Sequence, residues 1–383
     1  MKKVIILLSL CISFTGFSQK VKDSVLSRKM DKYRNFSVSV PPSFDKNSKK
    51  TYPLLLLLDG DYLFDAFDGA MSYGNYWDDL PEAIIVGLYQ NKDGERFDDC
   101  KIDKETGLPE GKGESFFEFI GGELLPYIQS KYKTGEFKMI AGHDVTAGYI
   151  NLFLYKDVPL FNAYICLSPE LSLEMETRIP ARLAVQKNKT FYYLSSADGD
   201  VKKMKDDIVL LNNNIKTVTN DNLNYRYEEI KGATHYSLVL HSIPSALYQF
   251  FSSYQPISSN EFQEKIVKLQ SGYVDYLKNK YDLLENTLGI KMPIRINDFR
   301  AIEAAIVKNK AYNDFESLAQ LAKKSYPRAM LGEYYMARYY ENSGDIKRAV
   351  KSYQNAFTME AIGALTKDAM LEKADELRSQ LKK

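Results

Sequence analysis

The most constraining stretch of the sequence runs from Lys138 to Gly148 and reads KMIAGHDVTAG. A short apolar run, Met139 to Ala141, ends in Gly-His, and a segment with helical spacing follows. This order predicts a strand, a sharp turn and a helix, the local structure on which the pattern Gly-x-Ser-x-Gly presents a nucleophilic serine. Here Asp144 holds the nucleophile position and Thr146 holds the position of the second glycine. The stretch therefore predicts a catalytic scaffold without its usual nucleophile.

Up to residue 255 the sequence alternates between short apolar runs and amphipathic segments. Four apolar runs are typical of strands that are buried on both faces, as in parallel sheets; they are residues 54–58, 83–88, 163–167 and 190–194. Amphipathic segments at 115–131 and 201–213 predict helices between such strands. The alternation predicts an α/β fold, a mostly parallel sheet with helices on both faces.

From residue 261 onward the pattern is helical, so we expect a first domain at 24–255 and a second, all-α domain at 261–383. Residues 330–363 match the small and aromatic positions of one tetratricopeptide repeat, and 296–329 match a weaker copy one period earlier. A capping helix is predicted after them. Such a tetratricopeptide-like domain suits either a protein partner or a packing role that only stabilises the fold, and we favour the packing role.

The first eighteen residues have the order of a signal peptide. Two lysines precede an apolar run, Val4 to Phe14, and small residues then allow cleavage before Gln19. The apolar run is too short to span a bilayer, and no later segment is long and apolar enough to do so. We therefore expect an exported protein, periplasmic or secreted, without a membrane span.

The charge, cysteine and histidine content argues against nucleic-acid binding, a disulfide and a metal site. The formal net charge is +1, which gives no electrostatic reason to expect nucleic acid as a partner. Outside the leader only Cys100 and Cys166 remain, and we favour a buried thiol over a disulfide for Cys166 because it lies in an apolar run. The three histidines and two cysteines lack the spacing of metal ligands, so we predict no metal and no other cofactor.

Residues 30–255 resemble the putative-esterase family of α/β-hydrolases, the group that includes esterase D and the ferric-siderophore esterases. The resemblance is carried by short motifs in a fixed order: Tyr52-Pro53 leading to Leu58-Asp59-Gly60, Glu123 to Tyr127, Ala141-Gly142-His143, Phe161 to Tyr164 leading to Leu167-Ser168-Pro169, and Ala233-Thr234-His235. It implies an α/β-hydrolase sandwich and a small-molecule, ester-like ligand.

The same resemblance implies a site when it is transferred position by position. The nucleophile falls on Asp144, the base on His235, and the orienting acid on Asp198 or Asp200, in the nucleophile–acid–base order of this fold. The oxyanion hole would be formed by the backbone N–H of Val145 and by one N–H from the pair Asp61-Tyr62.

Three further groups of residues lie close to these positions in the sequence or in the motifs. A weaker match places Arg96, with Asp98 or Asp99, in the loop that carries substrate-facing polar residues in the family. His143, just before the turn, is interpreted as a packed, hydrogen-bonded residue. No serine near the motifs offers a convincing replacement nucleophile; the candidates are Ser168 and Ser237.

Aspartate at the nucleophile position changes the expected chemistry. It is ionised at neutral pH, attack on an ester would give an anhydride, and its charge would hold His235 protonated and oppose an oxyanion. The β-branched Thr146 is expected to crowd the turn. We therefore expect a degenerate esterase that binds a ligand or partner.

The alternative is an active hydrolase. It would act on a carboxylic or siderophore-type ester, or attack a saturated carbon through Asp144, as epoxide hydrolases and haloalkane dehalogenases do. Those enzymes use a cap domain, and the segment between Ser168 and Thr190 is too short for a helical one.

Overall fold

An eight-stranded sheet forms the centre of the first part of the computed structural model, which describes residues 19–381. The predicted signal peptide, residues 1–18, lies outside the described residues. The strands are β1 (Gln19–Ser27), β2 (Lys32–Val40), β3 (Tyr52–Leu57), β4 (Ile84–Leu88), β5 (Thr134–His143), β6 (Ala163–Leu167), β7 (Thr190–Gly199) and β8 (Leu223–Thr234). Their order is β1-β2-β4-β3-β5-β6-β7-β8. Only the pairs β1/β2 and β2/β4 are antiparallel, which confirms the predicted mostly parallel sheet.

The central strands are apolar on both faces because helices cover both sides of the sheet. Every residue of β3, β4 and β6 is buried. The helices of this part are α1 (Gly60–Tyr76), α2 (Glu95–Asp99), α3 (Lys112–Phe119), α4 (Leu125–Tyr132), α5 (Val145–Tyr149), α6 (Met175–Ala184), α7 (Lys202–Ile215) and α8 (Leu238–Phe250). A π-helical turn, Ile120–Leu124, joins α3 to α4, and a 3₁₀ turn, Ile150–Tyr155, extends α5.

The segment between β6 and β7 contains α6, a ten-residue helix. Met175, Ile179 and Leu183 on this helix are fully buried and belong to the main apolar core beside the sheet. The helix is therefore a packed part of the sandwich, in agreement with the expectation that this segment is too short for a helical cap.

The second part of the chain is all-helical, as predicted, and the division between the two compact units falls after Phe250. Its helices are α9 (Ser259–Glu261), α10 (Tyr273–Leu288), α11 (Ile296–Lys308), α12 (Asp314–Ser325), α13 (Leu331–Asn342), α14 (Ile346–Phe357) and α15 (Lys367–Gln380), and a π-helical turn, Phe262–Ile266, continues α9. Consecutive helices from α10 to α15 pack against each other. Two helix pairs coincide with the two predicted repeats and α15 with the predicted cap, while the tetratricopeptide assignment itself stays a prediction.

Two smaller expectations concern thiols and membranes. Cys100 and Cys166 are both buried and free, so the favoured interpretation of Cys166 as a buried thiol is confirmed. Among residues 19–381, no helix has the length and apolar character needed to cross a bilayer.

Candidate active site

The turn between β5 and α5 places Asp144 at the carboxyl end of the sheet, where open α/β folds bind their ligands. Its backbone has φ 62° and ψ −123°, a conformation that is strained for any residue with a Cβ. Close packing holds this turn in place: a Cβ on Gly148 would lie 1.9 Å from the carbonyl oxygen of Glu170, whose N–H donates to the Asp144 carbonyl. The predicted sharp turn at residues 142–146, called the elbow from here on, is therefore formed, and it has a carboxylate at its tip.

His235 follows β8 and points toward the elbow. Its Nδ1 lies 2.7 Å from Oδ1 of Asp200, and this carboxylate is fully buried. The hydrogen bond to Asp200 raises the pKa of His235, although burial of the imidazole opposes the charge. The base and an orienting acid predicted from the sequence are thus brought together.

The acid beside the histidine is Asp200, and the assignment of Asp198 to that place is wrong. Asp198 still belongs to β7, and its exposed carboxylate accepts a hydrogen bond from the N–H of Gly232 on the neighbouring strand β8 over 3.0 Å. Asp200 is the first residue beyond the strand end to turn inward, and it reaches the histidine.

Ser168, at the end of β6, supports the same acid. Its hydroxyl donates to Oδ2 of Asp200 over 2.5 Å and lies 3.2 Å from Nδ1 of His235. Burial raises the pKa of Asp200, but hydrogen bonds from His235 and Ser168 outweigh it and hold that pKa below its ordinary value. Ser168 is fully buried on the far side of the imidazole from Asp144, so it positions the acid rather than replacing the nucleophile.

Arg96 on α2 binds the elbow carboxylate directly. Its Nη1 donates to Oδ2 of Asp144 over 3.1 Å, while Nε and Nη2 form a fork on Asp59 at 2.6 and 3.1 Å. Nη2 also donates to the carbonyl oxygen of His143 over 2.8 Å. Burial opposes the charge of this guanidinium, yet the hydrogen bonds and charge of Asp59 keep its pKa above the ordinary value. Arg96, which the sequence placed only weakly in the substrate-facing loop, therefore lies at the centre of the site.

Asp59, which the sequence marks only as part of the motif Leu58-Asp59-Gly60, lies beneath the elbow and holds it in place. Its buried carboxylate receives the fork of Arg96 and a 2.6 Å hydrogen bond from the hydroxyl of Thr146. The same hydroxyl accepts from the N–H of His143 over 2.9 Å. Thr146 therefore has a role beyond the predicted crowding of the turn, because its hydroxyl joins the elbow to Asp59.

The residues proposed with Arg96 face away from the elbow. Asp98 pairs with Lys112 at the surface over 2.6 Å. Asp99 is buried and accepts from Arg34 at 2.8 and 2.6 Å. Gln90 connects this pair to the site, because its amide donates to Asp99 over 3.1 Å and accepts from the N–H of Asp59 over 3.1 Å. A continuous buried network thus fixes α2, and with it Arg96.

His143 is packed and hydrogen-bonded, as predicted. Its Nε2 lies 3.0 Å from the carbonyl oxygen of His235 and its Nδ1 lies 3.1 Å from the hydroxyl of Tyr62. A carbonyl only accepts, so Nε2 carries the proton and Nδ1 faces the hydroxyl. Burial lowers the pKa of His143, and the neighbouring His235 lowers it further, so this imidazole supports the loop of His235 in its neutral form.

The oxyanion-hole prediction is only partly consistent with the structure. The N–H of Tyr62 donates to the carbonyl oxygen of Asp59 over 3.1 Å in the first turn of α1, so its assignment as a donor is wrong. The backbone N–H groups of Asp61 and Val145 stay predictions. The Asp61 side chain has a structural role, because it accepts from the N–H groups of Gln90 and Asn91 at 2.8 and 3.2 Å.

The distance between base and elbow decides what this arrangement can do. Nε2 of His235 lies 3.9 Å from Oδ1 of Asp144, beyond hydrogen-bonding range. Of the three carboxylates, Asp144 is the accessible one, with a side chain that is 27% exposed against 0% for Asp59 and Asp200. In residues 19–381, no group of three or more His, Cys, Asp or Glu side chains is arranged to hold a metal ion.

The fold defines an α/β-hydrolase, and the structure brings Asp144, His235 and Asp200 together at the carboxyl end of its sheet. The family model described as "Putative esterase" matches residues 27–229, a little more than half of the chain. This protein therefore belongs to the putative-esterase family, as the sequence motifs indicated.

Comparison with solved structures supports the same fold. An uncharacterised protein from Capnocytophaga ochracea is similar at 27% identity and a TM-score of 0.85, covering 94% of this chain and 100% of its own. The BES protein from Bacillus cereus is similar at 23% identity and a TM-score of 0.52, covering 64% and 97%. An IroE-like serine hydrolase from Shewanella oneidensis is similar at 19% identity and a TM-score of 0.59, covering 80% and 99%. None of the curated proteins matches this chain significantly.

Proposed function

We propose that this chain is an exported, degenerate esterase whose elbow site binds an ester-like or related small molecule without hydrolysing it by serine chemistry. The observation that carries the proposal is the ion pair between Arg96 and Asp144, 3.1 Å from Nη1 to Oδ2. A guanidinium that neutralises the elbow carboxylate lowers its nucleophilicity.

The position of His235 supports this proposal. A serine elbow works because the histidine removes the hydroxyl proton as the bond to the carbonyl carbon forms. The carboxylate of Asp144 has no such proton to give, and Nε2 of His235 stands 3.9 Å from it. His235 and Asp200 are therefore present, but the elbow offers no hydroxyl proton for His235 to remove.

Retention of the pair His235–Asp200 favours the second candidate, a working hydrolase. In that mechanism Asp144 would displace a leaving group from saturated carbon, and His235 would activate water to cleave the alkyl ester. The fixed guanidinium of Arg96 opposes this, because the attacking oxygen would have to act beside its positive charge. A His235→Gln variant would trap the alkyl ester, so intact mass after incubation with a haloalkane or an epoxide tests it; we expect no adduct.

Hydrolysis of short p-nitrophenyl esters tests the main proposal. We expect the unmodified protein to give no turnover above buffer, and Asp144→Ser to gain turnover that is lost in Asp144→Ser/His235→Ala. Asp198→Ala is a matched control, since it removes an exposed carboxylate near the site and should leave every rate unchanged. Turnover by the unmodified protein that disappears with His235→Ala would overturn the proposal.

A further inference from the structure

We infer that the elbow site recognises a primary ammonium group, bound between Oδ1 of Asp144 and Nε2 of His235. The inference rests on the proposed function, because it names the chemical class of the ligand that the non-hydrolytic site would take. Four features of the site carry it: the hydrogen-bonding character of these two atoms, their separation, the balance of charge, and the neighbouring aromatic rings.

The two atoms proposed to bind the ammonium, Oδ1 of Asp144 and Nε2 of His235, are both hydrogen-bond acceptors. Oδ2 of Asp144 is bound by Arg96, which leaves Oδ1 as the outward oxygen of this carboxylate. In neutral His235 the proton is on Nδ1, because Nδ1 lies 2.7 Å from the carboxylate of Asp200, and Nε2 is then a bare acceptor. When serine occupies the elbow, its hydroxyl donates a hydrogen bond to the histidine nitrogen. Here the carboxylate oxygen and the histidine nitrogen are both acceptors, so neither can donate to the other.

The separation of these acceptors fits one nitrogen. They lie 3.9 Å apart, so they cannot bond to each other. A nitrogen about 2.8 Å from both atoms, the usual length for a charge-assisted bond, can direct two of its three N–H groups at them. An alcohol has one proton to donate, and a carboxylate has none, so neither satisfies both acceptors.

The balance of charge favours a cation as well. Three carboxylates, Asp59, Asp144 and Asp200, face one guanidinium when His235 is neutral. Asp59 takes the fork of Arg96, and the side chain of Asp200 is buried behind the imidazole, so the accessible excess of negative charge lies on Asp144. An anionic ligand would meet this charge, and the guanidinium of Arg96 is already bound by Asp59 and Asp144.

Aromatic side chains surround the charged centre. Tyr62, Phe97 and Tyr236 are 44%, 67% and 79% exposed, so their rings are accessible to a ligand. The ring of Phe97 lies 5.9 Å from the guanidinium carbon of Arg96, and the ring of Tyr236 lies 5.1 Å from that of His235. Aromatic faces beside a carboxylate favour a cation that carries an apolar or aromatic group.

Protonation of His235 should compete with the ligand, because a proton on Nε2 removes an acceptor and adds a positive charge. The groups facing this imidazole are Asp200, Asp144, Arg96 and the imidazole of His143. We therefore expect affinity for an ammonium to fall as pH decreases through the pKa of His235, while an alkylammonium with a pKa of about 10 stays charged throughout.

Calorimetry with three probes of one shape tests the inference: 2-phenylethylammonium, 2-phenylethanol and 3-phenylpropanoate. The unmodified protein should bind the ammonium at least about tenfold more tightly than the other two, as expected for charge-assisted hydrogen bonds. Asp144→Asn, which keeps the shape, should lose this preference, while Asp198→Asn should keep it.

Equal binding of all three probes, tighter binding of the propanoate, or an unchanged preference in Asp144→Asn would overturn the inference. A loss of the same size in Asp198→Asn would also do so, since it would show only general attraction to an acidic surface. The comparison of probes on the unmodified protein needs no variant to fold. Ester turnover is measured separately: turnover by the unmodified protein counts against the proposed function, whereas failure to prefer the ammonium in a protein without turnover counts only against the ligand class.

Discussion

The hydroxyl of Thr146 donates a hydrogen bond to the carboxylate of Asp59 over 2.6 Å, beneath the elbow. Asp59 in turn holds the guanidinium that binds Asp144. The two departures from the Gly-x-Ser-x-Gly pattern, at the elbow tip and two residues beyond it, are therefore parts of one network. A substitution at Thr146 should therefore disturb the hydrogen bonds that hold Asp144, and a substitution at Asp144 should disturb those of Thr146.

Removal of the Thr146 hydroxyl tests this connection. Thr146→Val should lower the free energy of unfolding by about 1–3 kcal/mol, because a buried carboxylate loses a donor and the N–H of His143 loses its acceptor. Thr146→Ser keeps the hydroxyl and is the matched control. Urea unfolding measures both, and equal stability of the valine and serine variants would contradict the role given to this hydroxyl.

The buried pair Arg34–Asp99 should be essential for the position of α2. Arg34→Met leaves the carboxylate of Asp99 buried with only Gln90 as a remaining side-chain partner, and removal of one member of a buried pair costs about 3–5 kcal/mol. Arg34→Met/Asp99→Leu should recover much of that loss, since no unpaired charge is left. Urea unfolding of the two single variants and the double variant gives the coupling energy. Additive losses would show that the two side chains act independently.

The histidines at the site should titrate on opposite sides of the ordinary imidazole pKa of about 6.5. The hydrogen bond to Asp200 raises the pKa of His235, whereas burial lowers the pKa of His143. Pairing of His235 thus stabilises the fold fully below pH about 6.5 and less as pH rises through its folded-state pKa, while His143 reduces stability as pH falls below about 6.5.

Titration of the imidazole protons by NMR, assigned with His→Gln variants, measures both values. Asp200→Asn should bring the pKa of His235 down, because it removes the charged partner. A pKa of His235 that is unchanged in this variant would show that Asp200 does not act on the histidine as its 2.7 Å contact indicates.

Much of the fold was predictable because its central strands β3, β4 and β6 are buried on both faces. Runs such as the five leucines at 54–58 are apolar without interruption, and this pattern has few interpretations other than a central parallel strand. Strand β1 is not predicted, because Gln19–Ser27 is an edge strand that is mostly polar and has no regular alternation of polar and apolar residues. The helix after the elbow was predicted as one element, whereas the structure tightens it into a 3₁₀ turn after Tyr149.

The sequence predicted the site residues only where their positions after predicted strands bring them to the same edge of the sheet. Asp144 and His235 follow strands whose ends meet at one edge of the sheet, so their proximity could be inferred. The pairing of Arg96 with Asp144 joins residues 48 positions apart, and neither local spacing nor charge pattern specifies it. The choice between Asp198 and Asp200 depended on where β7 ends, and strand ends are poorly defined by sequence.

The central claim is that the elbow lacks a working nucleophile and keeps the remainder of an esterase site. Intact mass after exposure to an alkyl fluorophosphonate tests it without a known substrate, because the hydroxyl of a histidine-activated serine attacks the phosphorus of such a reagent, displaces fluoride and forms a stable phosphonyl-serine. We expect no adduct on the unmodified protein, one adduct on Asp144→Ser, and none on Asp144→Ser/His235→Ala. An adduct on a serine of the unmodified protein, or no adduct on Asp144→Ser, would contradict the account.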